Sequence, residues 1–281
     1  MAQGGPLWAQ WYGHPEQLAL LALAEVLYLL AVGPLRERYR LAPEADPRKV
    51  ATFTLGILVL VVAVASPLHV LSEEYLFSAH MTQHVLMTLV APPLLLLGLP
   101  DWLLRPLLAG RRALTTARVL THPVVAFVAF NLVFSLWHIP ALYETSVRND
   151  WVHALEHVMF TGSGILMWWP LVSPARELPR LSYPLQMVYL FLVSVAQTIV
   201  FAPLVFSRSP VYDWYARAPK LFGLTPVTDQ QVGAIIMKIG GGVILMGLII
   251  ILFYRWARRE EMESRIDRIE REIVQQDINV E

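Results

Sequence analysis

The stretch SAHMTQH, residues 78 to 84, places His80 and His84 one helical turn apart, and HALEH, residues 153 to 157, repeats the arrangement with His153 and His157. On a helix this spacing puts both imidazoles of a pair on one face, where together they can hold a metal ion or hydrogen-bond to neighbours. The chain has no cysteine, so disulfides, thiolate metal sites and thiol catalysis are excluded, and a soft-metal site must draw on His and Met. Neutral imidazole suits copper, zinc, iron or nickel, and Met81 or Met237 would add a thioether that favours Cu(I). HALEH also reads as H-x-x-E-H, the inverted zincin motif, in which His153 and His157 would bind zinc and Glu156 would activate water. Five-residue matches arise easily on helices, and Glu156 serves equally well as the acceptor that orients a ligating imidazole.

The elements that must carry these residues are apolar. Of the 281 residues 56% are hydrophobic and 16% charged, with a mean hydropathy of +0.51, which reads as a membrane protein. The 22 basic and 22 acidic residues cancel, so there is no global field for a polyanion, and nucleic acid is not an expected partner. The N-terminal residues show neither a basic region nor a small-residue cleavage pattern, so the first apolar stretch is expected to stay. Segments of the length a helix needs to cross the hydrocarbon core occur at 17–35, 50–70, 76–99, 121–142, 151–172, 184–206 and 232–256. The expected fold is therefore all-α, a bundle of seven transmembrane helices over 1–256, followed by an amphipathic helical tail over 257–281.

Lys and Arg alternate between the loops. Seventeen fall in the 1–2, 3–4 and 5–6 connections and the tail, against four in the other connections, so the positive-inside rule puts the N-terminus outside and the C-terminus in the cytoplasm. On that frame His14, His69, His80, His84, His138, His153 and His157 all lie at outer ends of segments, and His122 alone lies at an inner end. If the second to fifth segments pack together, the two pairs, His69 and His138 converge at one depth as a site of three or four imidazoles. Buried histidines at membrane depth are costly and tend to have a function. His14 and His122 stay outside the candidate ligand set and read as interfacial or capping residues.

Lys238 lies about two turns into the last segment, where it would snorkel, pair with Asp229 or meet an anionic ligand. The run GGG at 240–242 permits close helix approach, and Trp168 and Trp169 read as an aromatic belt. In the tail Met262, Ile266, Ile269 and Ile273 form one narrow apolar stripe, suited to a partner helix, a second copy or the membrane surface, or simply to a solvated extension of the last helix.

Three blocks, SPLHVLSEEYLFSAHMTQHVLMTLVAPPLLLLGLP (66–100), LWHIPALYETSVRNDWVHALEHVMFTGSGILMWWPL (136–171) and DQQVGAIIM (229–237), together resemble the CtaG family of integral membrane factors for assembly of caa3-type cytochrome c oxidase. The resemblance implies a bacterial plasma-membrane protein that is not an enzyme and is linked to copper-centre formation. Its partners would be oxidase subunits or other assembly factors. The family's histidine blocks fall on His69, on His80, Met81 and His84, on His138, and on His153, Glu156 and His157; its acidic motif falls on Asp229 and Gln230, with Met237 following. Lys238 stands where the family pattern leads one to expect an apolar or aromatic residue.

The expectation is thus a copper-handling assembly factor, taking up the ion as Cu(I) through His69, His80, His84, His138, His153 and His157 with Met81 and Met237. Glu156, Asp229, Gln230 and Lys238 would support that set. Two alternatives keep different chemistry: a haem held by paired imidazoles, and a zinc hydrolase acting through HALEH.

Overall fold

In a computed structural model, which describes residues 6–11 and 14–278, every element is helical and no strand occurs among the described residues. The helices are α1 (Pro15–Arg38), α2 (Pro47–Ala65), α3 (Pro67–Glu74), α4 (Phe77–Gly98), α5 (Asp101–Leu108), α6 (Arg111–Leu120), α7 (Pro123–Trp137), α8 (Pro140–Ser146), α9 (Asp150–Val172), α10 (Tyr183–Phe206), α11 (Asp213–Arg217) and α12 (226–278), besides a short 3-10 turn at Leu7–Ala9. Proline opens α1, α2, α3, α7, α8 and α12, where its missing N–H would be unpaired anyway and its fixed φ suits the first turn. Side chains cap several helix starts: Asp46 accepts from the Arg48 N–H, Ser66 from Leu68, Asn149 from Trp151 and Thr225 from Thr228.

Five helices, α1, α2, α4, α10 and α12, are long and apolar enough to cross a bilayer, and the bent pair α6–α7 makes a sixth if taken as one span. The chain is a multi-pass membrane protein. On α1, Leu20, Leu23, Val26 and Leu27 are all exposed, an outward face suited to lipid. Of the seven expected segments, 151–172 coincides with α9, which has the length at 23 residues but opens on Asp150, His153, Glu156 and His157. Segment 50–70 ends early, because Ser66 adopts an extended conformation and Pro67 starts a separate helix. Segment 121–142 is likewise interrupted, since α7 ends at Trp137 and Pro140 begins α8; at the start of the segment α7 meets α6 at 61°. The tail shows no break at the expected 256/257 boundary, since the last helix runs unbroken from Gly241 to Ile278. Met262, Ile266 and Ile269 are exposed on it, and the side chain of Ile273 lies outside the described residues.

Helix α2 packs along the second half of α4, α9 packs against both α4 and α7, and α10 pairs with α12. Two wide turns tune these contacts. In α4 the helix loosens to i→i+5 bonding over Leu86–Val90, just before Pro92 and Pro93, whose missing N–H groups would otherwise interrupt the ladder. The Thr88 carbonyl on that turn accepts from the Trp168 indole N–H at 2.9 Å. Trp168 is therefore a buried packing residue and not part of an aromatic belt, while Trp169 is half-buried. A second wide turn, Ile236–Gly240, lies in α12. Among the three glycines at 240–242 only Gly241 faces a neighbour, Leu89. The tighter approach is at Gly233, where a Cβ would lie 2.5 Å from the Phe77 ring, so the start of α12 sits hard against the start of α4.

Candidate metal centre

Seven elements bring an end to one pole of the bundle. His14 precedes α1, His69 lies on α3 just after α2, and His80 and His84 open α4. His138 follows α7, His153 and His157 open α9, and the segment after α10 leads through α11 to the start of α12. Successive long helices alternate in direction, so ends far apart in sequence meet. His14, His69, His80, His84, His138, His153 and His157 are each no more than 7% exposed, and their rings make one contiguous group. Ring centroids lie 5.5 Å apart for His14 and His69, 6.1 Å for His69 and His153, 5.5 Å for His80 and His153, and 5.8 Å for His84 and His138. His122 is exposed, and its Nδ1 caps α7 by accepting from the Val124 N–H.

Two carboxylates divide the group. Glu156 faces His80 and His84: its Oε1 is 3.8 Å from His80 Nε2 and 3.5 Å from His84 Nε2, and the two Nε2 atoms are 2.9 Å apart. These three side chains are buried, and their ligand atoms lie within 4.8 Å of one another. Glu73 makes the second set. Its Oε1 sits 3.3 Å from His14 Nε2, 3.3 Å from His69 Nε2 and 3.2 Å from His153 Nδ1. Burial pushes the Glu73 carboxyl up, but the hydrogen bonds from His14 and His153 outweigh it and hold the group well below the usual carboxylate range. The same bond raises the His14 imidazole against its own burial.

Hydrogen-bond accounting fixes several tautomers. Tyr215 gives its hydroxyl proton to the Ser72 carbonyl at 2.6 Å, so its oxygen faces His80 Nδ1 at 3.3 Å as an acceptor. His138 Nδ1 donates to the Phe134 carbonyl at 2.6 Å, and His153 Nδ1 donates to Glu73. In each ring Nε2 is then left with its lone pair. His157 Nδ1 faces Gln17 Oε1 at 3.3 Å, which leaves a lone pair on His157 Nε2 as well, 2.7 Å from that of His153. Two lone pairs at that separation repel unless a cation or a proton lies between them.

Several buried atoms have no hydrogen-bond partner among the described residues: both Glu156 oxygens, His84 Nδ1 and His138 Nε2. An unpaired buried polar group costs about 1–3 kcal/mol, more if charged. Four such atoms around one set of imidazoles is the donor surplus a metal ion would satisfy, so the residues present fit a metal.

The other expected site residues make different contacts. Met81 and Met237 are buried in the main apolar cluster with Phe77, Phe134 and Phe160. Asp229 accepts from the backbone N–H groups of Phe77 and Ser78, at 2.7 and 3.2 Å, and from the Ser78 hydroxyl. It caps α4, the helix that carries His80 and His84. Gln230 bridges the Val211 N–H and the Leu204 carbonyl. Lys238 donates to the Ser194 carbonyl and the Thr198 hydroxyl where α10 loosens, so it neither pairs with Asp229 nor reaches the cluster. Sequence reasoning passed over Glu73, Tyr215 and the inclusion of His14. The signal for Glu73 was available as the i,i+4 pair His69 and Glu73, whereas His14 and Tyr215 reach the site only through tertiary packing.

The family described as cytochrome c oxidase caa3 assembly factor matches residues 26–259 of the chain. Among curated proteins, an uncharacterized protein of Mycobacterium bovis is 29% identical over 216 residues, covering 69% of this chain and 32% of its own length. An uncharacterized protein of Mycobacterium leprae is 27% identical over 201 residues, covering 66% of this chain and 30% of its own. The chain thus spans about one third of the length of the curated relatives it matches. No solved structure matches it.

Proposed function

Because this chain belongs to the family of cytochrome c oxidase caa3 assembly factors, we propose that it carries a copper ion for oxidase assembly. The ion is held by His80 Nε2, His84 Nε2 and the Glu156 carboxylate, with His138, His153, His157 and His69 packed around them. The observation that carries this reading is Glu156, fully buried, with neither oxygen hydrogen-bonded among the described residues and two imidazole nitrogens within 3.8 Å. Copper is cargo here, and exchange among neighbouring imidazoles lets it move without a thiol. The mixed N,O donors move the reading from Cu(I) toward Cu(II). The chain crosses the bacterial plasma membrane seven times, with α6–α7 as one bent span and α9 as another, and presents the histidine pole outside. An oxidase subunit or another assembly factor receives the ion there.

To test this, full-length protein stripped with a chelator is loaded with Cu(II) in detergent, and bound metal is counted. Glu156→Gln is expected to lower copper affinity at least tenfold at the buried set, and His80→Ala with His84→Ala to abolish that site. Unchanged copper content in both variants would end the proposal. Haem is read in the same preparation, since only a haem protein shows a Soret band that shifts on reduction. A zinc hydrolase is less well supported, because Glu156 faces His80 and His84, whereas that mechanism needs it beside a metal held by His153 and His157.

A further inference from the structure

We infer that the cluster holds a second metal-binding position, built by His14, His69 and Glu73, which receives the ion from the aqueous side before it reaches the buried Glu156 set. This rests on the reading of the buried set as a copper site. The ligand atoms of His14, His69 and Glu73 lie within 4.8 Å of one another, the same two-imidazole, one-carboxylate composition as His80, His84 and Glu156. The two sets differ in access: the Glu73 side chain is 24% exposed and that of Glu156 is 0%. An ion from solvent therefore meets Glu73 first.

His153 connects the sets. Its Nδ1 lies against Glu73, its Nε2 against His157, and its ring stacks on that of His80 with planes 23° apart. One of the outer donors, His14, lies before the matched family region, which begins at residue 26, so this position depends on a residue the family match does not include.

Without metal, His14 Nε2 is hydrogen-bonded to Glu73 Oε1 at 3.3 Å, whereas His69 Nε2 has no hydrogen-bond partner among the described residues. Gln83 Nε2 donates to His69 Nδ1 at 3.1 Å, so His69 carries its proton on Nε2, toward Glu73. Binding a divalent ion at His69 Nε2 moves that ring's single proton from Nε2 to Nδ1, with no net release from His69. Gln83 Oε1 has no partner among the described residues, so a turn of the amide supplies an acceptor for the new His69 Nδ1–H, at the loss of the bond to the Ala63 carbonyl. An ion at the outer position would thus satisfy His69 Nε2, and the turned Gln83 amide the His69 Nδ1–H, while leaving the set able to return to its metal-free form.

The test titrates full-length, chelator-stripped protein in detergent with Cu(II) alone, counting bound ions by equilibrium dialysis and reading their ligand fields by electron paramagnetic resonance. Wild-type protein is expected to bind two ions per chain. Glu73→Gln and His14→Asn each bind one, with the spectrum of the buried site retained; Glu156→Gln binds one with the other spectrum. His122→Asn, remote from the cluster, keeps two. A size-exclusion profile and melting temperature like those of wild type establish that each variant is folded, and the milder His14→Asn decides if Glu73→Gln is not. One ion in wild type, unchanged by Glu73→Gln and lost in Glu156→Gln, overturns the outer position and leaves the copper reading standing. Loss of both ions in Glu73→Gln also overturns it, assigning Glu73 to positioning His153. No bound ion in wild type removes the copper reading itself.

Discussion

Tyr215 would touch no ion at the proposed copper site, yet its contacts bear on whether one could bind there. Its hydroxyl is committed to the Ser72 carbonyl, and Tyr143 donates to it at 3.2 Å, so its remaining lone pair is offered to His80 Nδ1. Partners of this kind fix the tautomer of a ligating histidine, and losing one costs about 10–100-fold in metal affinity. Tyr215→Phe removes the acceptor and keeps the ring packed against Phe77, so the folded protein is expected to bind copper at the buried set about tenfold more weakly or worse. Competition dialysis against a chelator of known affinity reads the difference, and an unchanged affinity would show that His80 holds its tautomer by other means. The two i,i+4 histidine pairs were legible in the sequence because a helix turns local spacing into a shared face. Tyr215 was not, since it lies 135 positions from His80 and carries no periodic signal. Glu156 stood within a readable motif, yet its direction depends on which helix packs opposite, and that is set by the fold.

At the scale of elements, α4 is the part that must be held in register, because its first two turns carry His80 and His84. Asp229 closes its N-terminus across space, where negative charge and an accepting carboxylate answer unpaired N–H groups and the helix dipole together. Gly233, one turn further along α12, lets the two helix starts approach closely enough for this contact. Replacing a capping side chain by alanine typically costs about 0.5–2 kcal/mol. Asp229→Ala is expected to fall near the upper end, because the Phe77 and Ser78 N–H groups are buried and gain no water in exchange. The measurement is the melting temperature in detergent together with copper content: a lower melting temperature with weaker binding supports the capping role, and wild-type values in both would refute it. The acidic residue before the last apolar segment was visible in the sequence, and so was its place at a helix start. Which helix it caps was not, because 152 residues separate Asp229 from Phe77. Helix breaks were partly legible for the same reason: Ser66-Pro67 and His122-Pro123 are local signals, but an apolar run on both sides hides them from a reading based on hydropathy alone.

For the whole molecule, the decisive question is which side of the membrane the histidine pole faces, since the proposed ion would reach an outward pole from outside the cell and an inward pole from the cytoplasm. Arg and Lys side chains concentrate at the opposite end, in the α1–α2, α4–α7 and α9–α10 connections and along the extended last helix, so the positive-inside rule leads us to propose that this end faces the cytoplasm. The alternating helix directions carry the same assignment to every connection at once, so a single labelled residue at each pole tests it. The chain has no cysteine, and introduced thiols therefore report alone. Arg148→Cys, between α8 and α9 near the histidines, is expected to react with a membrane-impermeant maleimide added to intact cells. Gly110→Cys, between α5 and α6 at the far pole, is expected to react only after the membrane is opened. Neither position is buried, so reactivity reports sidedness and not folding. The reversed pattern would turn the molecule over and make the cytoplasm the source of the ion. Labelling of both residues in intact cells would mean that the chain does not cross as alternating spans, and the shared pole of the seven histidines would lose its topological basis.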